Sequence, residues 1–99
     1  MASRKELKRQ INRMTYELIS DAFQVLQRNP DLDRRPVMDV IGETVDARNR
    51  LIGQVNHPEA EQDTAQRRKG YRKIREEMVK HFDRSFTRLS QILQEDKKE

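Results

Sequence analysis

The chain has 99 residues, no cysteine, 38 % charged and 33 % apolar residues, and a net charge of +4. This length predicts one domain, and the lack of cysteine excludes disulfides, zinc–thiolate centres and thiol chemistry within it. So little apolar sequence leaves a core near the lower limit for independent folding, which favours long helices with narrow apolar stripes, or an oligomer. Disorder is the alternative, and the regular spacing of the apolar residues argues against it.

The first predicted helix covers residues 4–28. Ser3 and Glu6 have the spacing of a capping box, which marks a helix start. Apolar residues then recur every three or four positions, as on one face of a helix; they are Leu7, Ile11, Met14, Leu18, Ala22 and Val25. Asn29 and Pro30 end the helix, because Asn tolerates a left-handed backbone and Pro cannot continue the helical hydrogen bonds.

The second predicted helix covers residues 36–56, and the third covers about 60–95. Pro36 suits a first helical turn, where its missing amide is not needed. The second stripe comprises Val37, Ile41, Thr44, Leu51, Ile52 and Val55. The third comprises Tyr71, Ile74, Met78, Phe82, either Ser85 or Phe86, Leu89 and either Ile92 or Leu93.

No strand pattern occurs, so the sequence predicts one all-α domain over residues 1–99, an up-down-up three-helix bundle. Its long third helix overhangs the other two, or a partner covers the excess. Whether residues 58–66 are loop or helix stays open.

Two aromatic residues do not fit the main stripe of the first helix. Ile19 and Leu26 lie about 100° from that stripe, as expected if the helix touches two neighbours within its own bundle. Tyr16 and Phe23 lie nearer the far side, so the second interpretation is that they belong to a seam between two copies of the chain. Because closed dimers are the commonest oligomers and the core is small, we expect a homodimer.

A polar cluster is predicted inside the bundle. Arg48 falls within the second apolar stripe, and Arg75 lies near the edge of the third. A buried guanidinium needs a carboxylate, and antiparallel packing brings Arg48 level with Glu17 and Asp21. We expect these four residues to form a half-buried cluster. The alternative is that Arg48 reaches solvent along its methylene groups.

Patterns for catalysis and metal binding are sparse. Glu77 lies one helical turn before His81, yet a catalytic zinc takes three protein ligands. His57 suits a cap or a loop. The sequence has no phosphate-binding glycine loop, HExxH or GxSxG motif. We therefore expect no catalytic residue, no metal and no cofactor.

One end of the predicted bundle is strongly basic. Residues 1–13 and 48–75 contain 13 Lys and Arg against 4 Asp and Glu. The members expected on the surface are Arg4, Lys5, Lys8, Arg9, Arg68, Lys69, Arg72 and Lys73. Nucleic-acid phosphates and an acidic protein are the candidate partners, and a solvated face that keeps the protein soluble is the alternative. The protein partner is favoured because Tyr71, the one aromatic here, falls on the apolar stripe rather than on a stacking surface.

Two segments, TYELISDAF (15–23) and RNRLIGQVNHPE (48–59), resemble a family of small, all-helical bacterial proteins of unknown function. The resemblance implies a small cytoplasmic helical bundle and assigns no functional residues. The first ten residues lack the apolar core of a signal peptide, and no apolar run reaches the roughly 20 residues of a membrane span. We expect a cytoplasmic protein-interaction module that does not enter a membrane; the alternative is a weak, sequence-tolerant binder of nucleic acid or another polyanion.

Overall fold

A computed structural model describes residues 4–56 and 63–97, which form three α-helices. Helix α1 spans Arg4–Arg28, α2 spans Arg34–Asn56 and α3 spans Thr64–Lys97. Each helix packs against the other two, and no strand occurs in the described ranges. The predicted all-α bundle with a long third helix is confirmed. Of the segment left open by the sequence, residues 64–66 are helical, and residues 58–62 lie outside the described ranges.

Helix α2 begins two residues earlier than predicted because Asp33 caps it. The Arg35 backbone amide donates to Asp33 Oδ1 at 3.1 Å, and Arg35 Nη2 donates to Asp33 Oδ2 at 3.0 Å. These side-chain and backbone hydrogen bonds hold the pKa of the Asp33 carboxyl below its ordinary value. Pro36 is the third residue of the helix, still within the first turn, where a missing amide leaves no hydrogen bond unmade.

Helix α3 begins with a capping box that the sequence analysis missed. The Gln66 amide donates to Asp63 Oδ1 at 2.8 Å, and the Asp63 amide donates to Gln66 Oε1 at 3.2 Å. Each side chain therefore satisfies an amide that has no partner within the helix. The capping box predicted for α1 depends on Ser3, which lies outside the described residues.

The end of α1 differs from the prediction in its backbone. No described residue has a positive φ, so Asn29 follows the end of α1 without the left-handed backbone that Asn tolerates. Asn29 instead donates its side-chain amide to the Val25 carbonyl at 2.8 Å, beside the backbone bond between the same residues at 3.1 Å. The side chain thus satisfies a carbonyl of the last turn without a left-handed residue.

The core runs the length of the bundle. Its largest fully buried side chain is Phe82, 1 % exposed. Leu32, from the α1–α2 loop, closes one end and is 7 % exposed. The remaining buried apolar residues are Leu7, Ile11, Leu18 and Ala22 of α1, Val37, Val40, Ala47, Leu51 and Val55 of α2, and Ile74, Met78, Leu89 and Ile92 of α3. Most of the predicted stripe residues are among them, whereas Leu32, Val40 and Ala47 were not predicted.

Two interhelical contacts define where the helices lie relative to one another along the bundle axis, which we call their relative heights. Arg48 of α2 contacts Asn12 of α1, and Thr44 of α2 contacts His81 of α3. Given these heights and a rise of about 1.5 Å per residue, α3 projects by about one turn beyond its neighbours at both ends. Residues 63–69 are all exposed, as this projection requires.

Candidate interaction surfaces

An exposed apolar surface lies along the groove between α1 and α2. Tyr16 and Phe23 of α1 are 74 % and 46 % exposed. They follow Asn12 by four and eleven positions, so the helical period places them on the same flank as Asn12. Since Asn12 contacts Arg48 of α2, this flank is the one beside α2.

Helix α2 contributes Met38 and Val45, which are 45 % and 39 % exposed. Val45 lies one turn before Arg48, and Met38 lies two turns before Val45, on the flank beside α1. The relative heights place Val45 level with Tyr16 and Met38 level with Phe23. We call Tyr16, Phe23, Met38 and Val45 the apolar face; the half-buried residues that continue it between the helices are Ile19, Leu26 and Ile41.

The grouping of the four apolar side chains is more informative than the exposure of any one of them. Single surface hydrophobic residues are normal, whereas a contiguous apolar patch marks an interaction site. Among the described residues, four of the five large hydrophobic side chains that are exposed belong to the apolar face, and the fifth is Val79 of α3. The sequence singled out Tyr16 and Phe23 but not Met38 and Val45, whose significance depends on which flank of α2 faces α1. The seam between two copies stays a prediction.

The predicted basic surface lies at the start of α1 and along the first turns of α3. All eight of its residues are exposed except Lys8, which is half-buried, and Arg67 is exposed beside them. We call these nine residues the basic end. All five exposed large hydrophobic residues lie beyond these nine residues along the bundle, in the direction from the start to the end of α1. The basic end therefore has charge without an exposed apolar centre.

The four residues of the predicted polar cluster do not come together. Arg48 Nε donates to Asn12 Oδ1 at 2.9 Å, and its Nη1 donates to Asn49 Oδ1 at 2.9 Å. Glu17 instead pairs with the exposed Arg13, with 3.4 Å between Nε and Oε1. The cause is the rotation of α1, because Asn12 is on its α2 flank and Glu17 is on the other.

Asp21 and Arg75 also lie apart from Arg48. Asp21 is exposed and lines a groove with Phe86 and Leu89 of α3. Arg75 is half-buried, and its Nε atom has no hydrogen-bond partner within the described part of the chain. Amide oxygens therefore take the place at Arg48 that the prediction gave to carboxylates.

A buried polar contact joins α2 and α3 near their middles. The Nε2 atom of His81 lies 3.4 Å from Thr44 Oγ1 and 3.3 Å from Ser85 Oγ. Burial lowers the pKa of His81, the positive charges of Arg50 and Arg84 lower it further, and Glu43 opposes them.

The chemistry open to this trio is limited by its burial. Thr44 is 0 % exposed, so a substrate would have to unpack the helices to reach its hydroxyl, and Ser85, which lines a surface groove with His81, is only 5 % exposed. At 3.3–3.4 Å the contacts are also long for hydrogen bonds to oxygen. The trio fits a polar tie between helices, and sequence reasoning missed it because Thr44 and His81 are 37 positions apart.

No group of three or more His, Cys, Asp or Glu side chains within residues 4–56 and 63–97 is placed to hold a metal ion. His57 lies outside these ranges. None of the described helices is both long and apolar enough to cross a membrane. Comparison of the chain with protein-family models, curated proteins and solved structures finds no match, and the resemblance to small bacterial helical proteins stays a prediction.

Proposed function

We propose that the chain is a non-catalytic protein-interaction module that acts as a homodimer, with the apolar face as the dimer interface. The observation that supports this most is the gathering of Tyr16, Phe23, Met38 and Val45 on one side of the bundle. Burying apolar surface contributes about 25 cal/mol per Å², so covering this side would stabilise a complex. A location in the bacterial cytoplasm, which the resemblance implies, belongs to the same proposal.

The size of the α1–α2 side suits a second copy of the chain. Helix α1 has 25 residues and the bundle is about 20 Å wide. At a rise of about 1.5 Å per residue the side measures about 38 by 20 Å, or about 760 Å². A stable interface of standard size buries about 800 Å² per partner. The antiparallel pair described next overlaps only residues 11–28 of α1, about 27 Å of this length, so it would cover about two thirds of this area and form a weak dimer.

The charges around the apolar face favour an antiparallel two-fold pair. Lys5 and Arg9 lie on the same side of α1, below the apolar face. In a parallel pair they would meet their own copies, and like charges in contact are unfavourable. A two-fold axis crossing the helices midway between Tyr16 and Phe23 instead brings them level with the partner's α1–α2 loop. That loop carries the exposed carboxylate of Asp31, whereas Asp33 is already paired with Arg35 of its own chain.

Sedimentation equilibrium tests the interface with matched variants. The wild-type chain should fit a monomer–dimer equilibrium, and the double variant Tyr16→Glu, Phe23→Glu should weaken dimerisation by more than about 100-fold, since charges would be buried without partners. The control is Val79→Glu, which places a charge on an exposed apolar residue of α3 and should leave the dimer intact. A wild-type monomer at several hundred micromolar, or equal loss in both variants, would contradict the proposal.

A further inference from the structure

The first turns of α3 carry much of the positive charge. Residues 63–69 are exposed, and about one turn of α3 projects beyond α1 and α2. Arg67, Lys69, Arg72 and Lys73 are all exposed. At about 100° per residue, their side chains leave the helix in directions spread over about 240°. Arg67 and Lys69 lie near the projecting end, whereas Arg72 and Lys73 lie level with the first turns of α1, on the side of α3 away from the buried Ile74.

The geometry points to duplex DNA: we propose that the exposed basic side chains on the first three turns of α3 bind the phosphates on the two sides of a major groove, without reading the base sequence. A helix with its side chains is about 10–12 Å across, and the major groove of B-form DNA is about 12 Å wide. A helix charged on several sides can contact phosphates on both walls of such a groove.

Other partners fit the same surface less well. Protein interfaces have an apolar, often aromatic centre depleted of charge, and none of the exposed large hydrophobic residues lies at this end. Single-stranded nucleic acid needs aromatic side chains for base stacking, and Tyr71 is half-buried and packs on the core. Double-stranded RNA has a deep, narrow major groove that protein elements do not enter.

The antiparallel dimer proposed above leaves this surface uncovered. Lys5 and Arg9 of α1 lie beside the dimer interface, whereas the first three turns of α3 lie beyond the α1–α2 side. The two copies would present their α3 starts at opposite poles. Binding of one α3 start to DNA does not require dimerisation, so failure of the dimer and failure of this inference give different results.

Fluorescence anisotropy with a 20-base-pair labelled duplex tests the inference on the full chain. With about four phosphates contacted, the logarithm of the association constant should fall against the logarithm of salt concentration with a slope of about −3 to −4. Between 50 and 200 mM salt the affinity should therefore drop by about 100-fold. No binding at 50 mM salt, or a slope shallower than about −1, would overturn the inference.

Two variants of equal net charge separate a local site from a general effect of positive charge. The test variant carries Arg67→Gln, Lys69→Gln, Arg72→Gln and Lys73→Gln. The control variant carries the same change at four basic residues that are also exposed but lie away from this end: Arg34, Lys80, Arg84 and Arg88. Gln has a helix propensity similar to that of Lys and Arg, and circular dichroism checks that both variants fold.

The test variant should lose most of the affinity and flatten the salt slope to near zero, whereas the control should stay within about threefold of the wild type. An equal loss of affinity in the two variants would mean that binding depends only on net charge, and it would contradict a local site on α3. Tighter binding to a single strand of the same length would overturn the groove geometry. Binding to polyglutamate but not to the duplex would assign the surface to an acidic protein.

Discussion

The apolar face and the basic end occupy different parts of the same bundle, and they differ in what holds their side chains in place. Beneath the apolar face lie fully buried residues such as Leu18, Val40 and Thr44, so its side chains are held by a packed core. The first turn of α3 projects beyond α1 and α2, and its start is fixed by the capping box of Asp63 and Gln66. A surface that works by shape is placed where the fold is rigid, whereas one that works by charge needs no such support.

The largest expected effect comes from the core on which the apolar face depends. Phe82→Ala should lower the free energy of unfolding by about 3–5 kcal/mol, a large share of the stability of a small domain. Chemical denaturation followed by circular dichroism measures it, at a concentration low enough to keep the chain monomeric. Tyr16→Ala is the control, since an exposed aromatic should cost less than about 0.5 kcal/mol in the monomer. Similar costs for the two would show that the face does not rest on this core.

The second largest expected effect is a difference in salt dependence between the two surfaces. Raising the salt concentration from 50 to 200 mM should change the dimer dissociation constant by no more than about fivefold, because apolar burial is not screened and only the peripheral charges are. The same change should weaken duplex binding by about 100-fold. Both constants are measured in the same buffers, by sedimentation and by anisotropy. A dimer whose affinity also falls steeply would be held by charge rather than by the apolar face.

Removal of the α3 cap should destabilise only the first turns of α3. Asp63→Ala should cost about 0.5–2 kcal/mol, as loss of an N-cap does, and the effect should be local because residues 63–69 are all exposed. Hydrogen–deuterium exchange should become faster at residues 66–70 and stay unchanged around Phe82. The control is Thr64→Ala, on an exposed residue next to the cap. Faster exchange throughout α3 would mean that the first turns are coupled to the core.

The smallest effect is a pH dependence centred on His81. Its pKa is lowered in the fold from the ordinary value of 6.5, first by burial and then by Arg50 and Arg84. The unfolded chain therefore binds a proton that the folded chain does not, so this contribution to stability is complete above about pH 6.5 and is lost as the pH falls below it. His81→Gln should flatten the fall in stability between pH 6.5 and 5 measured by denaturation. An unchanged fall in the variant would assign the effect to other groups.

The sequence predicted the helices well because their stripes are regular. Leu7, Ile11 and Leu18 repeat at helical spacing, and the structure buries all three. The helix ends were harder to predict, because caps such as Asp33 and Asp63 act through side-chain geometry that several nearby residues could supply. Leu32 was not predicted because a loop residue is not part of a helical repeat that would indicate its burial.

The surfaces depend on the rotation of each helix, which periodicity determines only to within about one residue. In α2 the stripe included Ile41, whereas the structure buries Val40 and leaves Ile41 half-buried. A shift of this size decides whether Arg48 meets a carboxylate or Asn12, and whether Met38 and Val45 face the same side as Tyr16. Charges such as Lys69 need no such precision, and seven of the eight predicted basic residues are exposed, with Lys8 half-buried.

Distances between spin labels test the central claim, that two copies pair through the apolar face, most directly. The chain has no cysteine, so Ser20→Cys and Lys5→Cys each provide one labelling site per copy. In the antiparallel pair, labels at residue 20 should lie within about 25 Å of each other and labels at residue 5 about 45 Å apart, from the helical rise. Short distances at both sites would contradict the antiparallel arrangement, and no dipolar coupling at residue 20 would contradict the interface itself.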